Sequence, residues 1–110
     1  MAPTGEFTNI DATRLQELQA GRQPVLIDVR TDAEVGRGII PGARHIPLQA
    51  LMARFGEIER DRPVVFYCQS GARSAQASHF LAAQGWNEVY NLAGGIVGWA
   101  QRGLPIGSAG

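Results

Sequence analysis

The residues 68–74, Cys-Gln-Ser-Gly-Ala-Arg-Ser, combine side-chain types that suit nucleophilic sulfur chemistry. They follow an apolar run, Val64–Tyr67, and precede a segment with helical periodicity, so the cysteine is predicted at the end of a strand. In open α/β sheets, ligands bind just beyond the carboxyl ends of the strands. The spacing therefore places the only thiol of the chain where a pocket is expected.

Three features of this loop are expected to lower the pKa of the Cys68 thiol. The helix that follows would offer unpaired N–H groups and partial positive charge at its N-terminus. Arg73 adds a permanent cation, and Gly71 permits a turn that directs successive amides inward as an anion-binding nest. A thiol with the reference pKa of about 8.5 is only ~3% ionised at pH 7. We predict that Cys68 is instead largely thiolate at neutral pH.

The alternative for Cys68 is an unreactive buried side chain, since a lone cysteine most often behaves as a small hydrophobe. A purely structural cysteine has no need of a polar, glycine-containing loop with an arginine at a helix start. The loop therefore favours catalysis or sulfur binding over a packing role.

The elements around this loop alternate between apolar runs and helical segments, which predicts one α/β domain. The two longest apolar runs lack polar alternation, as is typical of strands that are covered on both faces. The predicted strands cover residues 7–10, 24–29, 63–67 and 88–92. The predicted helices cover residues 12–20 (with Asp11 as N-cap), 48–55, 74–84 and 96–102, with a helical turn at 31–36 and an extended loop at 39–47. The single domain, residues 1–110, is expected to have its core at about 7–106 and a loose tail from Gly107.

The composition argues against several classes of function. Ten arginines balance ten acidic residues, and the resulting net charge of +0 argues against nucleic acid as the main partner. One cysteine forms neither an internal disulfide nor a multi-thiol zinc site. No apolar run approaches the ~18 residues of a membrane span, and the first ten residues lack the pattern of a secretory signal. We therefore expect a cytoplasmic protein with no membrane partner.

Polar residues outside the loop are expected to be mainly structural. Asp28 falls inside an apolar run, where its carboxylate needs an arginine or backbone amides as partners. Arg30 and Glu34 are expected to pair with each other. His45 and His79 do not have the spacing to a cysteine that would predict a catalytic dyad.

The pattern Cys68-x-x-Gly71-x-Arg73-Ser74 resembles the active-site loop of rhodanese domains. Three more segments follow the family's order and spacing, so the resemblance extends over about residues 8–106. They are Asp28-Val29-Arg30 with Glu34, residues 38–43 (Gly-Ile-Ile-Pro-Gly-Ala) followed by Ile46-Pro47-Leu48, and residues 92–96 (Leu-Ala-Gly-Gly-Ile) followed by Trp99 and Gly103-Leu104-Pro105. The chain departs from the family at Val35, where an aromatic residue is usual, and at Ile39, where histidine is usual.

The resemblance implies a five-stranded parallel sheet with helices on both faces, and sulfur transfer through a persulfide on Cys68. A small anionic donor such as thiosulfate would supply the sulfur, and cyanide, an external thiol or a protein acceptor would remove it. No metal or organic cofactor is implied. The donor would be bound by the loop residues Gln69, Ser70, Gly71, Ala72 and Arg73. Arg37 and Arg44, at either end of the 38–43 segment, are further candidates for attracting an anionic donor.

Two other functions remain open on the sequence. A module that only carries a persulfide or binds a partner is one, although such inactive modules often lack the cysteine that this chain retains. A cysteine phosphatase or arsenate reductase is the other. Those enzymes place five residues between cysteine and arginine, whereas Cys68 and Arg73 are separated by four. Tyr67 also takes the place of the histidine that commonly precedes the phosphatase cysteine.

Overall fold

The computed structural model describes residues 4–108, which contain a single five-stranded sheet. The strands are β1 (Thr8–Ile10), β2 (Val25–Asp28), β3 (Arg44–His45), β4 (Val64–Tyr67) and β5 (Val89–Leu92). Their order across the sheet is β1-β5-β4-β2-β3, and all four neighbouring pairs are parallel. The predicted five-stranded parallel sheet is confirmed.

Helices connect the strands. They are α1 (Ala12–Gly21), α2 (Asp32–Val35), α3 (Leu51–Arg54), α4 (Ala72–Ala83) and α5 (Gly95–Gln101), with 3₁₀ turns at Leu48–Ala50 and Phe55–Glu57. The predicted N-cap of α1 is confirmed, because the side-chain carboxylate of Asp11 accepts a 2.9 Å hydrogen bond from the amide of Arg14.

β2 and β4, two neighbouring interior strands, are almost entirely apolar because both of their faces are covered. Val25 is level with Val64 and Asp28 with Tyr67, and all eight residues of the pair are buried. A strand buried on both faces cannot alternate apolar and polar side chains. The unbroken apolar runs of the sequence therefore mark the middle of the sheet, and Cys68 follows directly from it.

The hydrophobic core consists of two layers, one on each face of the sheet. Phe66 packs in the layer that contains Leu51 of α3 and Leu81 of α4. Its neighbour Val65 packs in the other layer, with Leu15 of α1. Successive strand residues point to opposite faces, so β4 supplies both layers at once. This arrangement confirms the predicted helices on both faces of the sheet.

Some elements differ from the sequence-based predictions. β3 lies inside the segment predicted as an extended loop. It is a short edge strand of two residues, Arg44 and His45, neither of which gives an apolar signal in the sequence. The helix predicted at 48–55 is divided into a 3₁₀ turn, one turn of α3 and a second 3₁₀ turn. Within this divided segment, Met52 is 74% exposed. The helix after Cys68 begins two residues earlier than predicted, at Ala72.

The last described residues pair with the loop between α2 and β3. Gly107, predicted to begin a loose tail, forms an antiparallel bridge with Ile39 through two hydrogen bonds, of 2.9 Å and 2.8 Å. The remainder of the predicted tail, residues 109–110, lies outside the described residues. The paired part of the chain thus reaches one residue beyond the predicted core.

Candidate active site

Cys68 lies directly after β4, at the carboxyl edge of the sheet. The residue is only 1% exposed and belongs to one of the two core layers. Its Sγ accepts a hydrogen bond from the amide of Gly71 at 3.1 Å and lies 3.4 Å from the hydroxyl oxygen of Ser74. The amide of Ile96, in the first turn of α5, donates to the Cys68 carbonyl at 3.0 Å. The cysteine is therefore fixed from both its side chain and its backbone.

The turn after Cys68 depends on two glycines. Gly71 has a φ of +109°, and a Cβ at this position would lie 2.2 Å from the carbonyl oxygen of Ala93. Gly95 has a φ of +61°, and a Cβ there would lie 2.2 Å from the carbonyl oxygen of Gln69. Both conformations favour glycine, and the close backbone approach excludes any side chain. The tight turn is what directs the Gly71 amide at the sulfur.

Hydrogen bonding lowers the pKa of the Cys68 thiol. Burial alone would raise this pKa, because a thiolate loses solvation in the core. Hydrogen bonds from the Ser74 hydroxyl and from the amides of Ser74, Gly71 and Ser70 outweigh burial, so the pKa lies below its ordinary value. The direction agrees with the expectation from the sequence. The physical cause is mainly the ring of donors, because the guanidinium of Arg73 is engaged elsewhere.

Arg73 forms a bidentate ion pair with Glu34 of α2. Its two terminal nitrogens lie 2.7 Å and 2.8 Å from the two carboxylate oxygens. The pair holds the pKa of Glu34 down at about 2, with the Arg73 hydrogen bond as the largest cause. The expected pairing of Glu34 with Arg30 is therefore wrong, because the Glu34 carboxylate binds Arg73 instead.

Arg30 instead pairs with Asp28, in a buried ion pair at the end of β2. The guanidinium Nε and Nη2 contact both carboxylate oxygens at 2.8–3.1 Å, and the side chains are 4% and 1% exposed. Nη2 also donates to the carbonyl of Gly38 at 2.6 Å. The amide of Arg30 adds a further bond to the Asp28 carboxylate. These contacts satisfy the predicted need of Asp28 for an arginine and a backbone amide.

Asn91 was missed by the sequence analysis, and the structure places it directly behind the site. Its side-chain oxygen accepts from the Ser74 hydroxyl at 2.6 Å, while its Nδ2 donates to the Gly71 carbonyl at 3.2 Å and to the side chain of Asn9 at 3.0 Å. A serine hydroxyl has one proton, so Ser74 donates either to Asn91 or to Cys68 at any moment. The available signal was a polar residue in the otherwise mostly apolar stretch of β5.

The other candidate residues lie in three different places. Arg37 and Gln69 line a cleft of about 380 Å³ beside the loop, hereafter the site cleft. Arg44 does not, because Glu59 holds its guanidinium through bonds of 2.9 Å and 2.8 Å. Ser70 and Ala72 are exposed at the rim of the loop. A larger hollow of about 730 Å³ lies at the opposite, amino end of β5 and contains none of the predicted site residues.

The comparisons with known proteins decide the family. Residues 11–102 match the rhodanese-like domain family, a stretch that includes every element from α1 to α5. The chain belongs to the rhodanese family. Its curated relatives include a sulfurtransferase of Allochromatium vinosum, which is 48% identical over 98 residues, or 88% of this chain and 92% of the relative. The thiosulfate sulfurtransferase GlpE of Vibrio cholerae is 31% identical, over 91% of this chain and 94% of its own.

Solved structures agree with this assignment. A rhodanese-related protein of Thermoplasma volcanium superposes with a TM-score of 0.82 at 33% identity, covering 91% of this chain and 97% of that one. Cys68 lies at the carboxyl edge of this sheet, which is where ligands bind in open α/β sheets. This protein is thus a rhodanese-domain member of the sulfurtransferases with one cysteine, Cys68.

The described part of this rhodanese offers little to a metal ion. Among residues 4–108, no group of three or more His, Cys, Asp and Glu side chains is arranged to hold one. His45 lies 2.7 Å from the carbonyl oxygen of Arg30, and His79 lies 3.0 Å from that of Gly5, so both rings contact the backbone.

No helix within the described residues has the length and apolar character needed to cross a bilayer.

Proposed function

We propose that this rhodanese is a thiosulfate sulfurtransferase that carries sulfane sulfur as a persulfide on Cys68. The observation that carries the proposal is the set of hydrogen-bond donors around Sγ, with the Gly71 amide at 3.1 Å and the Ser74 hydroxyl at 3.4 Å. Donors aimed at a buried sulfur stabilise negative charge there, which a thiolate nucleophile requires. The Vibrio cholerae relative is a thiosulfate sulfurtransferase, which favours thiosulfate as the donor.

The proposed reaction has two steps. The Cys68 thiolate attacks the outer sulfur of thiosulfate, the S–S bond of the donor breaks, and its electron pair leaves with sulfite. The persulfide anion that remains is held by the loop amides between Gln69 and Arg73. Cyanide or a thiolate then attacks the terminal sulfur and regenerates the Cys68 thiolate. Because the chain has no second cysteine, the acceptor comes from outside it.

The loop geometry supports sulfur transfer over phosphate chemistry. Four residues separate Cys68 from Arg73, one fewer than in cysteine phosphatases, and the shorter loop offers a smaller ring of amides that suits a single sulfur better than a phosphate. Tyr67 accepts a 3.0 Å hydrogen bond from the amide of Ile40, so the residue before the cysteine is a packing residue. Its pKa is raised, chiefly by burial, which makes it a poor proton donor at neutral pH.

The test is intact-protein mass spectrometry after incubation with thiosulfate and then with cyanide. The wild-type protein is expected to gain the mass of one sulfur and to lose it to cyanide with release of thiocyanate. The matched control, Cys68→Ser, is expected to gain nothing. A wild-type protein that gains no sulfur from thiosulfate or from polysulfide is not a sulfurtransferase, and it would then be treated as a partner-binding module.

A further inference from the structure

The Ser74 hydroxyl lies between two acceptors in the interior of the protein. Its oxygen is 2.6 Å from Oδ1 of Asn91 and 3.4 Å from Sγ of Cys68. All three residues are buried, so these two side-chain acceptors compete for the hydroxyl. Because a hydroxyl carries one proton, each acceptor receives it only while the other does not.

The carboxamide of Asn91 is held with its oxygen toward Ser74. Its Nδ2 donates to the Gly71 carbonyl at 3.2 Å and to Oδ1 of Asn9 at 3.0 Å. A backbone carbonyl only accepts hydrogen bonds, so it requires the nitrogen end of the carboxamide to face it. Oδ1 therefore stays available to the Ser74 hydroxyl whether or not Cys68 carries a sulfur.

The Ser74 hydroxyl is the donor to Sγ that can change direction. Within residues 4–108, the other donors that stabilise this sulfur are the backbone amides of Ser70, Gly71 and Ser74. Those amides are fixed by the turn at Gly71 and by the first turn of α4. The hydroxyl, by contrast, turns about a single bond of its side chain. A change of charge at Sγ is therefore answered by a change of partner at Ser74.

Loading of Cys68 moves negative charge away from Sγ. In the free thiolate the charge lies on Sγ, and hydrogen bonds to a charged acceptor are the stronger ones. In the persulfide anion, Sγ is neutral and bonded to two atoms, and the charge lies on the terminal sulfur. A neutral divalent sulfur is a weak acceptor, whereas a carboxamide oxygen has two lone pairs to offer. The hydroxyl thus binds Sγ best before loading and Asn91 best after it.

We propose that Asn91 is a positioning residue that accepts the Ser74 hydroxyl while Cys68 carries sulfur, and that it thereby favours the persulfide over the free thiolate. The inference rests on the persulfide chemistry proposed for Cys68. In the loading step, Sγ forms a bond to the outer sulfur of thiosulfate, the S–S bond of the donor breaks, and its electron pair leaves with sulfite. The proton stays on the Ser74 oxygen throughout, and only its acceptor changes.

The test is the equilibrium of this loading step, which is reversible because sulfite can attack the terminal sulfur. Intact-protein mass spectrometry gives the ratio of loaded to free protein in mixtures of thiosulfate and sulfite, at about pH 9, where an ordinary thiol is largely ionised. Asn91→Ala takes the acceptor from the Ser74 hydroxyl in the loaded protein, so the loading constant should fall about fivefold. Asn87→Ala, the same substitution at an exposed residue ahead of β5, is the matched control and should change it by less than about twofold.

A Ser74→Ala background separates positioning from a merely structural role of Asn91. Without the hydroxyl there is nothing to reposition, so adding Asn91→Ala should change the loading constant by less than about twofold. An equal fall in both backgrounds would overturn the proposal, because Asn91 would then act by holding the Gly71 carbonyl. No fall in either background would also overturn it, while normal loading of the wild type leaves sulfur transfer by Cys68 intact. A wild-type protein that gains no sulfur would overturn both.

A measurement on the wild-type protein covers the case in which the Asn91 variants do not fold. The NMR signal of the Asn91 side-chain carbonyl carbon is expected to move between the reduced and the loaded protein, because its oxygen gains the Ser74 hydrogen bond on loading. The corresponding signal of Asn87 serves as the reference and should stay in place. An Asn91 signal that is the same in both states would contradict the exchange of acceptors.

Discussion

Glu34 joins the Cys68 loop to α2 through its carboxylate. Its Oε1 accepts from the backbone amide and the hydroxyl of Thr31, at 3.0 Å and 3.1 Å, and also from Arg73 at 2.7 Å. The Thr31 contacts form a capping box at the start of α2. The same side chain therefore caps the start of α2, in the connection that follows β2, and anchors the Cys68 loop, which follows the neighbouring strand β4.

Replacing this carboxylate is expected to impair the loop. Glu34→Gln keeps the size of the side chain but loses the charge-assisted bonds to Arg73, which we expect to cost about 1–2 kcal/mol. The result should be a 5- to 30-fold lower kcat/KM for the sulfur donor, measured as thiocyanate release. Glu57→Gln, which breaks the exposed pair with Arg54, is the matched control. Equal losses in both variants would contradict a specific role for Glu34.

The same ion pair predicts how stability changes in acid. The pKa of Glu34 is about 2 in the folded protein, below the ordinary value of 4.5, with the Arg73 hydrogen bond as the largest cause. Between about pH 2 and pH 4.5, the unfolded state therefore binds more protons than the folded state. The stabilising contribution is complete above about pH 4.5 and is lost as the pH falls toward 2.

Urea unfolding of wild type and Glu34→Gln from pH 7 to pH 2.5 measures this contribution. The difference in unfolding free energy between the two proteins should shrink below pH 4.5. Glu59, with a pKa also of about 2 through its bond to Arg44, contributes in the same window and is unchanged in both proteins. A difference that stays constant down to pH 2.5 would contradict the assignment to Glu34.

Substitutions of Ser74 and Asn91 are expected to change the pKa of the Cys68 thiol in opposite directions. Ser74→Ala removes the hydroxyl 3.4 Å from Sγ and should raise the pKa of Cys68. Asn91→Ala removes the competing acceptor, so the Ser74 proton is free to bond the sulfur and the thiol pKa should fall. Absorbance at about 240 nm against pH reports the thiolate in each protein.

Further measurements test the hydrogen-bond network that links Ser74, Asn91 and Asn9. Asn9→Ala, which removes only the outer partner of Asn91, is expected to leave the thiol pKa near that of wild type. Asn91→Ala should lose about 1–3 kcal/mol of unfolding free energy, because it leaves the Gly71 carbonyl without that partner. A rise of the thiol pKa in both Ser74→Ala and Asn91→Ala would show that Asn91 acts only by holding the loop.

Gly71 is predicted to tolerate no side chain. Gly71→Ala places a Cβ 2.2 Å from the Ala93 carbonyl oxygen at a φ of +109°. We expect this variant to lose more than about 3 kcal/mol of unfolding free energy and to lose sulfur loading as well. Gly98→Ala is the matched control, since its Cβ meets nothing within 4 Å inside α5. That variant should gain about 0.5–1 kcal/mol from helix propensity. Thermal unfolding and the mass-spectrometric assay measure both effects, and a stable, active Gly71→Ala would be inconsistent with the loop described.

The sequence predicted the sheet and the Cys68 loop better than it predicted the partners of the charged residues. Apolar runs such as Val64–Tyr67 mark buried strands because burial on both faces leaves no other composition. The partner of Glu34 is 39 residues away, and two arginines satisfy the same chemical pattern, so spacing alone selected Arg30 wrongly. β3 was missed for a related reason, since a two-residue edge strand leaves no periodicity to detect.

The position of Cys68 within a core layer has a consequence for heat inactivation. Cys68 shares that layer with Phe66, Ala77 and Leu81, and its backbone carbonyl is bonded to α5, so the position of the Cys68 loop depends on the packing of the domain. Core contacts of this kind open with the cooperativity of the whole domain and not with that of a fraying loop. We therefore expect loss of sulfur transfer and loss of the fold to share one midpoint, so that a warm, folded but inactive population does not accumulate.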